Sequence, residues 1–395
     1  MSTLNQALIT PRVVRWARER ARRRLDKLAK TLHTKPEHVE SWEEGTSAPT
    51  INQAQRLAEV LHIPFGYLFL PSPPEEKLPL PDFRTVVGAE LGRPSGEFID
   101  LLNDVIIKQQ WYRHFLLEQG RVPLPFIGQF SVKDGYAKIA KSIRETLGIS
   151  HALRTACSSP DEFLRTIIRN AGVAGILMMR SGVAQGNTRR PLSVEEFRGF
   201  AISDPIAPVI FVNGRDASTA QVFTVAHELT HLWIGATGIS NEHLKRPLLA
   251  DSNEVERFCN SAAAEVLIPE SEFTEAWNPS RSTDDNMHAL ARDCKVSTVV
   301  VLRRAYELGQ LNWAQYAEAY QKEEQKFKSR QEHKKKGGDF FKNVVARNSP
   351  ALTRAAVYGA IEGRVLYRDA ARLLNVGVPV IQSIAHHLSK RTVDV

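Results

Sequence analysis

The stretch Val225-Ala226-His227-Glu228-Leu229-Thr230-His231-Leu232-Trp233 decides how this chain reads. It sets His-Glu-x-x-His among apolar residues (Phe223, Val225, Ala226, Leu229, Leu232, Trp233) that fit a helix sunk in a core. Successive residues of an α-helix turn by about 100°, so His227 and His231 stand about 40° apart and both imidazoles reach one ion. Glu228, one residue on, lies beside that ion rather than facing it. Two neutral nitrogen ligands, with a carboxylate to take the proton of an attacking water, make the arrangement a zinc hydrolase needs. Such a pentapeptide also arises by chance, so its surroundings must supply a helix, a strand before it and a third ligand after it.

Outward from the motif, Pro205-Ile-Ala-Pro-Val-Ile-Phe-Val-Asn213 has the β-branched and aromatic content of a strand, bounded by Pro and Asn. On the other side, Ser252-Asn-Glu-Val-Glu-Arg-Phe-Cys-Asn-Ser-Ala-Ala-Ala-Glu-Val-Leu-Ile-Pro269 is rich in helix formers and is stopped by Pro269. Within it Glu256 is our choice of third ligand. Asn260 lies four residues on, where it can hydrogen-bond a ligating group. Glu254, which points about 200° away from Glu256, and Glu265 are the competitors.

The strand, the His-Glu-x-x-His helix and Glu256-Arg-Phe-Cys-Asn260-Ser-Ala-Ala-Ala-Glu-Val-Leu-Ile-Pro269 resemble the ImmA/IrrE family of metallo-endopeptidases. Members carry a Glu-x-x-x-Asn helix ending in Ala-Ala-x-x-Leu-x-Pro. The resemblance, carried mainly by residues 195–315, implies a gluzincin-like peptidase with Zn2+ on His227, His231 and Glu256, Glu228 as general base, and Asn260 behind the ligands. It also implies a protein substrate, an XRE-type repressor cut so that its operon is released. Ala262 departs from the pattern where an aromatic residue is expected, a change of packing rather than of chemistry. A two-His, one-carboxylate site also holds manganese.

The 395 residues suffice for two or three domains. There is no run of 18 apolar residues and the N-terminus lacks a signal-peptide pattern, so a cytoplasmic protein with no membrane segment is expected. Cys157, Cys259 and Cys294 are odd in number and show no Cys-x-x-Cys spacing; they read as small core residues. Of the net charge of +8, residues 10–30 carry +7, from nine Arg or Lys against Glu19 and Asp26. Such a segment meets phosphate, an acidic protein face or water.

Residues 10–70 read as four or five short helices. Pro36 suits a first helical position and Gly45 a stop, and helices follow over Ile51–His62 and Pro64–Leu70. Ser41-Trp42-Glu43-Glu44-Gly45 and Pro49-Thr50 resemble an XRE-type helix-turn-helix domain. Two features oppose DNA reading. The recognition segment carries Glu37, Glu40, Glu43 and Glu44 against Lys35 and His38, which repels phosphate. In addition, Arg24 and Leu25 stand where the family places a capping hydroxyl and a DNA-touching Gln. DNA contact through this domain therefore competes with protein docking or self-association, including a homodimer.

The domains expected are a helix-turn-helix domain (1–70), a proline-rich linker (71–82), a peptidase domain (83–280), a helix-turn-helix-like extension (281–330), and a hinge with a small helical module (331–395). The fold class is α+β, predominantly helical, with a small sheet from 175–180, 197–202 and 208–213 beside the motif helix. An edge strand of that sheet would pair with an extended substrate. His243, Arg257, His288 and Tyr306 are the candidates for stabilising an oxyanion. Arg303 and Arg304 could touch DNA, although a packing helix is the commoner explanation for such a pair, and 314–336 reads as a solvated helix running into a hinge. The rival reading is a DNA-binding transcriptional regulator or antitoxin-like protein whose zinc site is structural or latent. A structural zinc is normally closed by four protein ligands, and only three are evident.

Overall fold

A computed structural model describes residues 6–76, 78–81, 94–240, 254–330 and 338–392. The chain is α+β and predominantly helical, and it divides into two compact units, Met1–Pro79 with Gly92–Leu102, and Leu80–Leu91 with Asn103–Val395.

In the first unit, α1 (Pro11–Arg20), α2 (Leu25–Thr31), α3 (Pro36–Glu44) and α4 (Ile51–Leu61) precede a short 3-10 turn at Phe65–Phe69. Local chemistry sets their ends. Pro36 opens α3, where its missing N–H has no helical partner to lose, and Gly45 closes it at φ +78°. Thr50 and Gln53 form a capping box on α4. Val14, Leu28, Val39, Trp42, Leu57 and Leu61 are buried between the helices. Part of the basic charge of α1 is neutralised within the unit. Arg18 grips buried Glu43 at two points, 2.6 and 2.9 Å, and Arg20 bonds Glu76 and Asp100, each at 2.7 Å. The acidic protein face that these arginines meet is their own.

Helix α5 (Gly96–Glu118) leads into the second unit, which continues with α6 (Tyr136–Leu147), α7 (His151–Ala156) and α8 (Pro160–Val173). Strands β1 (Leu177–Ser181), β2 (Gly199–Ile202) and β3 (Val209–Asn213) follow, then α9 (Ser218–Trp233) and β4 (Gly238–Ser240). The strand order is β1-β3-β2-β4, with β1 parallel to β3 and β2 antiparallel to both its neighbours. β3 starts later than its apolar sequence suggests, because Asp204 accepts from the amides of Ile206 and Ala207 and holds that stretch in a turn.

Then come α10 (Glu254–Leu267), α11 (Glu270–Ala276), α12 (Thr283–Cys294), α13 (Thr298–Glu307) and α14 (Trp313–Arg330). Last are α15 (Phe340–Asn348), α16 (Pro350–Ile361), α17 (Tyr367–Leu373) and α18 (Val380–Thr392). Ser297 caps α13 through the amide of Val300.

Arg303 and Arg304 are buried against Glu307 and Glu265, so of their two readings the packing one applies: they hold α13 in place. Helix α14 is not a solvated rod: Tyr316 is fully buried in the main core, and exposed charge begins beyond it. The C-terminal helices pack on β1 through α15 and α16, inside the same unit as the motif helix. Residues 331–337 of the expected hinge lie outside the described residues. All three cysteines are buried and no disulfide joins them. Among the described residues no helix is long and apolar enough to cross a membrane.

Candidate metal centre

Helix α9 is buried at every residue from Gln221 to Trp233, so its polar side chains must find partners inside the protein. β3 delivers the chain to it through Asn213, whose side-chain amide bonds the carbonyls of Ser193 and Phe197. At its far end Trp233 stacks on Phe126 at 4.4 Å and donates to Ser142 Oγ. There the chain turns at Gly235, φ +72°, where a Cβ would lie 3.2 Å from the Cα of Gly128. Both ends of the motif helix are thus fixed by residues far away in sequence.

His227 and His231 are fully buried and turn their Nε2 atoms toward each other at 2.9 Å. Glu256, from α10, reaches both: Oε2 lies 3.3 Å from His227 Nε2, and Oε1 lies 3.1 Å from His231 Nε2. The ligand atoms of these three residues all fall within 4.8 Å of one another. Donors about 2.0–2.1 Å from a tetrahedral zinc would be roughly 3.3 Å apart, so the three lie close to one face of such a tetrahedron. At 2.9 Å the two imidazoles cannot both point a proton at each other, so at least one Nε2 presents a lone pair. The donor set, two imidazoles and one carboxylate, fits a zinc ion.

His227 Nδ1 lies 3.1 Å from Asn260 Oδ1, one turn beyond Glu256 on the same helix. If the ring donates Nδ1–H to that oxygen, its Nε2 is left free to ligate, the orienting role expected behind a metal ligand. Burial alone would raise the Glu256 carboxyl. The attraction and hydrogen bonds of the two imidazoles bring it down to about 2 instead.

Glu228 is fully buried beside the cluster, against β2. A Cβ at Gly199 would lie 2.6 Å from Thr224 Cγ2, 2.9 Å from Glu228 Oε1 and 3.1 Å from the Phe211 carbonyl, so a side chain here would crowd Thr224 and this carboxylate. The sequence offers no signal for Gly199, since its role depends on how β2 crosses α9.

The competing glutamates stand elsewhere. Glu254 is exposed at the start of α10. Glu265 is buried at the other end, where its carboxylate meets Arg304 and accepts from the Glu270 amide. Of the oxyanion candidates, Arg257 and His288 are exposed, and Tyr306 packs against Trp313 and Tyr316. His243 lies outside the described residues.

Comparison with known families finds two domain matches in the chain. Residues 172–306 match the M78 peptidase model described as the IrrE N-terminal-like domain, and residues 14–68 match a helix-turn-helix model. No curated protein and no solved structure matches the chain. Through residues 172–306 the chain carries an ImmA/IrrE-like, metallopeptidase-type domain, coupled to an N-terminal helix-turn-helix domain of the XRE type.

Proposed function

We propose that the second unit is a zinc-dependent endopeptidase whose substrate is a protein, an XRE-type repressor. The observation that carries this reading is the convergence of His227, His231 and Glu256 on one point, with Glu228 buried beside it. A zinc ion held there supplies Lewis-acid polarisation of a substrate carbonyl and makes a nearby water more acidic.

The remaining steps belong to the protein. Asn260 holds the ring of His227 in register. Glu228 takes a proton from the attacking water and passes it to the nitrogen of the departing amine. Gly199 leaves the space in which that carboxylate sits, and the walls of α9 and β2 keep bulk water from it. The repressor as substrate rests on the family resemblance, and the helix-turn-helix domain would bring the peptidase to DNA or to a protein bound there. Salt-sensitive DNA binding in a mobility-shift assay would assign the first of these roles.

Glu228→Gln keeps the shape of the side chain and removes its basicity. Zinc should remain bound, and cleavage of XRE-type repressors from the same cell should fall by about 10²–10⁴-fold or more. If this variant cuts as fast as the parent, the assignment of the base is wrong.

A further inference from the structure

Extended peptides bind a sheet by adding a strand to its edge through main-chain hydrogen bonds. The edge that concerns the proposed chemistry is the outer side of β2, because β2 holds Gly199 against Glu228. That edge is already taken by the chain itself. β4 lies antiparallel on it, with Gly199 opposite Ser240, Phe200 opposite Ile239, and Ala201 opposite Gly238. Ile239 is fully buried.

β4 is in turn tied from outside. In an antiparallel ladder, alternate residues point their N–H and C=O away from the partner strand. The amide of Ile239 does so and donates to the carbonyl of Pro81 at 3.0 Å. Pro81 ends the proline-rich stretch that follows the helix-turn-helix domain in sequence, so a residue of that stretch sits where a further strand would begin.

We infer that β4 is a built-in occupant of the peptide-docking edge, pinned by Pro81, and that an extended polypeptide substrate enters by displacing it. The inference rests on the peptidase reading above. Three residues make a short strand with few ladder bonds, which a longer substrate strand can outcompete while keeping the same partners on β2. Simple protection of a sheet edge makes the opposite forecast, that β4 stays in place when a peptide binds.

The test is hydrogen exchange read by mass spectrometry on full-length, zinc-loaded Glu228→Gln, with β-casein as an unfolded polypeptide probe. Binding should raise the exchange rate of the 238–240 amides by about tenfold and slow that of 199–201. Unchanged or slower exchange at 238–240, or no binding of the probe, overturns the inference. A lock gives a second reading: with Ala201→Cys and Gly238→Cys added, the oxidised form should bind the probe about tenfold more weakly than the reduced form. Equal binding overturns it. Cleavage of casein by the parent separates the two claims. If β4 is displaced in the variant but the parent does not cut, the peptidase reading fails and the displacement stands. A parent that cuts while β4 stays in place leaves the peptidase and removes the displacement.

Discussion

The two ends of α10 each bury a glutamate, and the two are about equally hidden, with side-chain exposures of 12% for Glu256 and 9% for Glu265. Glu265 faces the guanidinium of Arg304, with Arg144 donating to its own main-chain carbonyl at 2.7 Å. Glu256 faces two imidazoles. Arginine is always charged, so Glu265 is neutralised within the protein and its place is structural. An imidazole, unlike a guanidinium, can offer a ring-nitrogen lone pair, so here three potential metal donors face one point. A buried carboxylate needs a cation; what differs along α10 is whether the chain supplies it or the surroundings must.

That contrast predicts opposite responses to the same substitution. Glu265→Ala takes the nearest counter-charge from buried Arg304, leaving Glu307 3.9 Å away, and should destabilise the protein by about 3–5 kcal/mol. Glu256→Ala, compared in chelator-treated protein, should cost less than about 1.5 kcal/mol, the scale of an ordinary hydrogen bond. Urea titration of both variants measures the difference, and equal losses would break the contrast.

A smaller effect tests the space beside the centre. Gly199→Ala pushes the Glu228 carboxylate off its position, and a displacement of about 1 Å lowers turnover on the order of 10²-fold. Bound zinc should stay at the parent level. Loss of metal together with activity would mean that Gly199 supports the fold rather than the base. Smallest is Asn260→Ala, which should weaken zinc about 10–100-fold in a chelator competition while leaving the other end of α10 intact. Unaltered affinity would remove Asn260 from the centre.

How legible each end was follows from the range of the interactions. His227 and His231 are linked by helix geometry alone, and Glu256 with Asn260 by one turn of the next helix, so the sequence brings those residues forward directly. The helix-turn-helix domain is legible for the same reason: Pro36, Gly45 and the Thr50–Gln53 box act within a few residues of themselves. Glu265 and Arg304 are 39 residues apart, and a sequence cannot reveal that pairing, which is why packing and DNA contact both stay open for Arg304 until it is seen buried. Gly199 and the β2–β4 pairing depend on strands crossing a helix, and no local pattern encodes that. Phosphate, an acidic protein face and water all stay open as partners of Arg18 and Arg20 until Glu43, Glu76 and Asp100 arrive from elsewhere in the chain.

The most direct measurement is zinc content by mass spectrometry on purified parent, His231→Ala, Glu256→Ala and Glu265→Gln proteins prepared side by side. A centre built from His227, His231 and Glu256 predicts about one zinc per parent chain, its loss in His231→Ala and Glu256→Ala, and its retention in folded Glu265→Gln. A metal-free parent, or a Glu256→Ala protein with its full zinc, would contradict it.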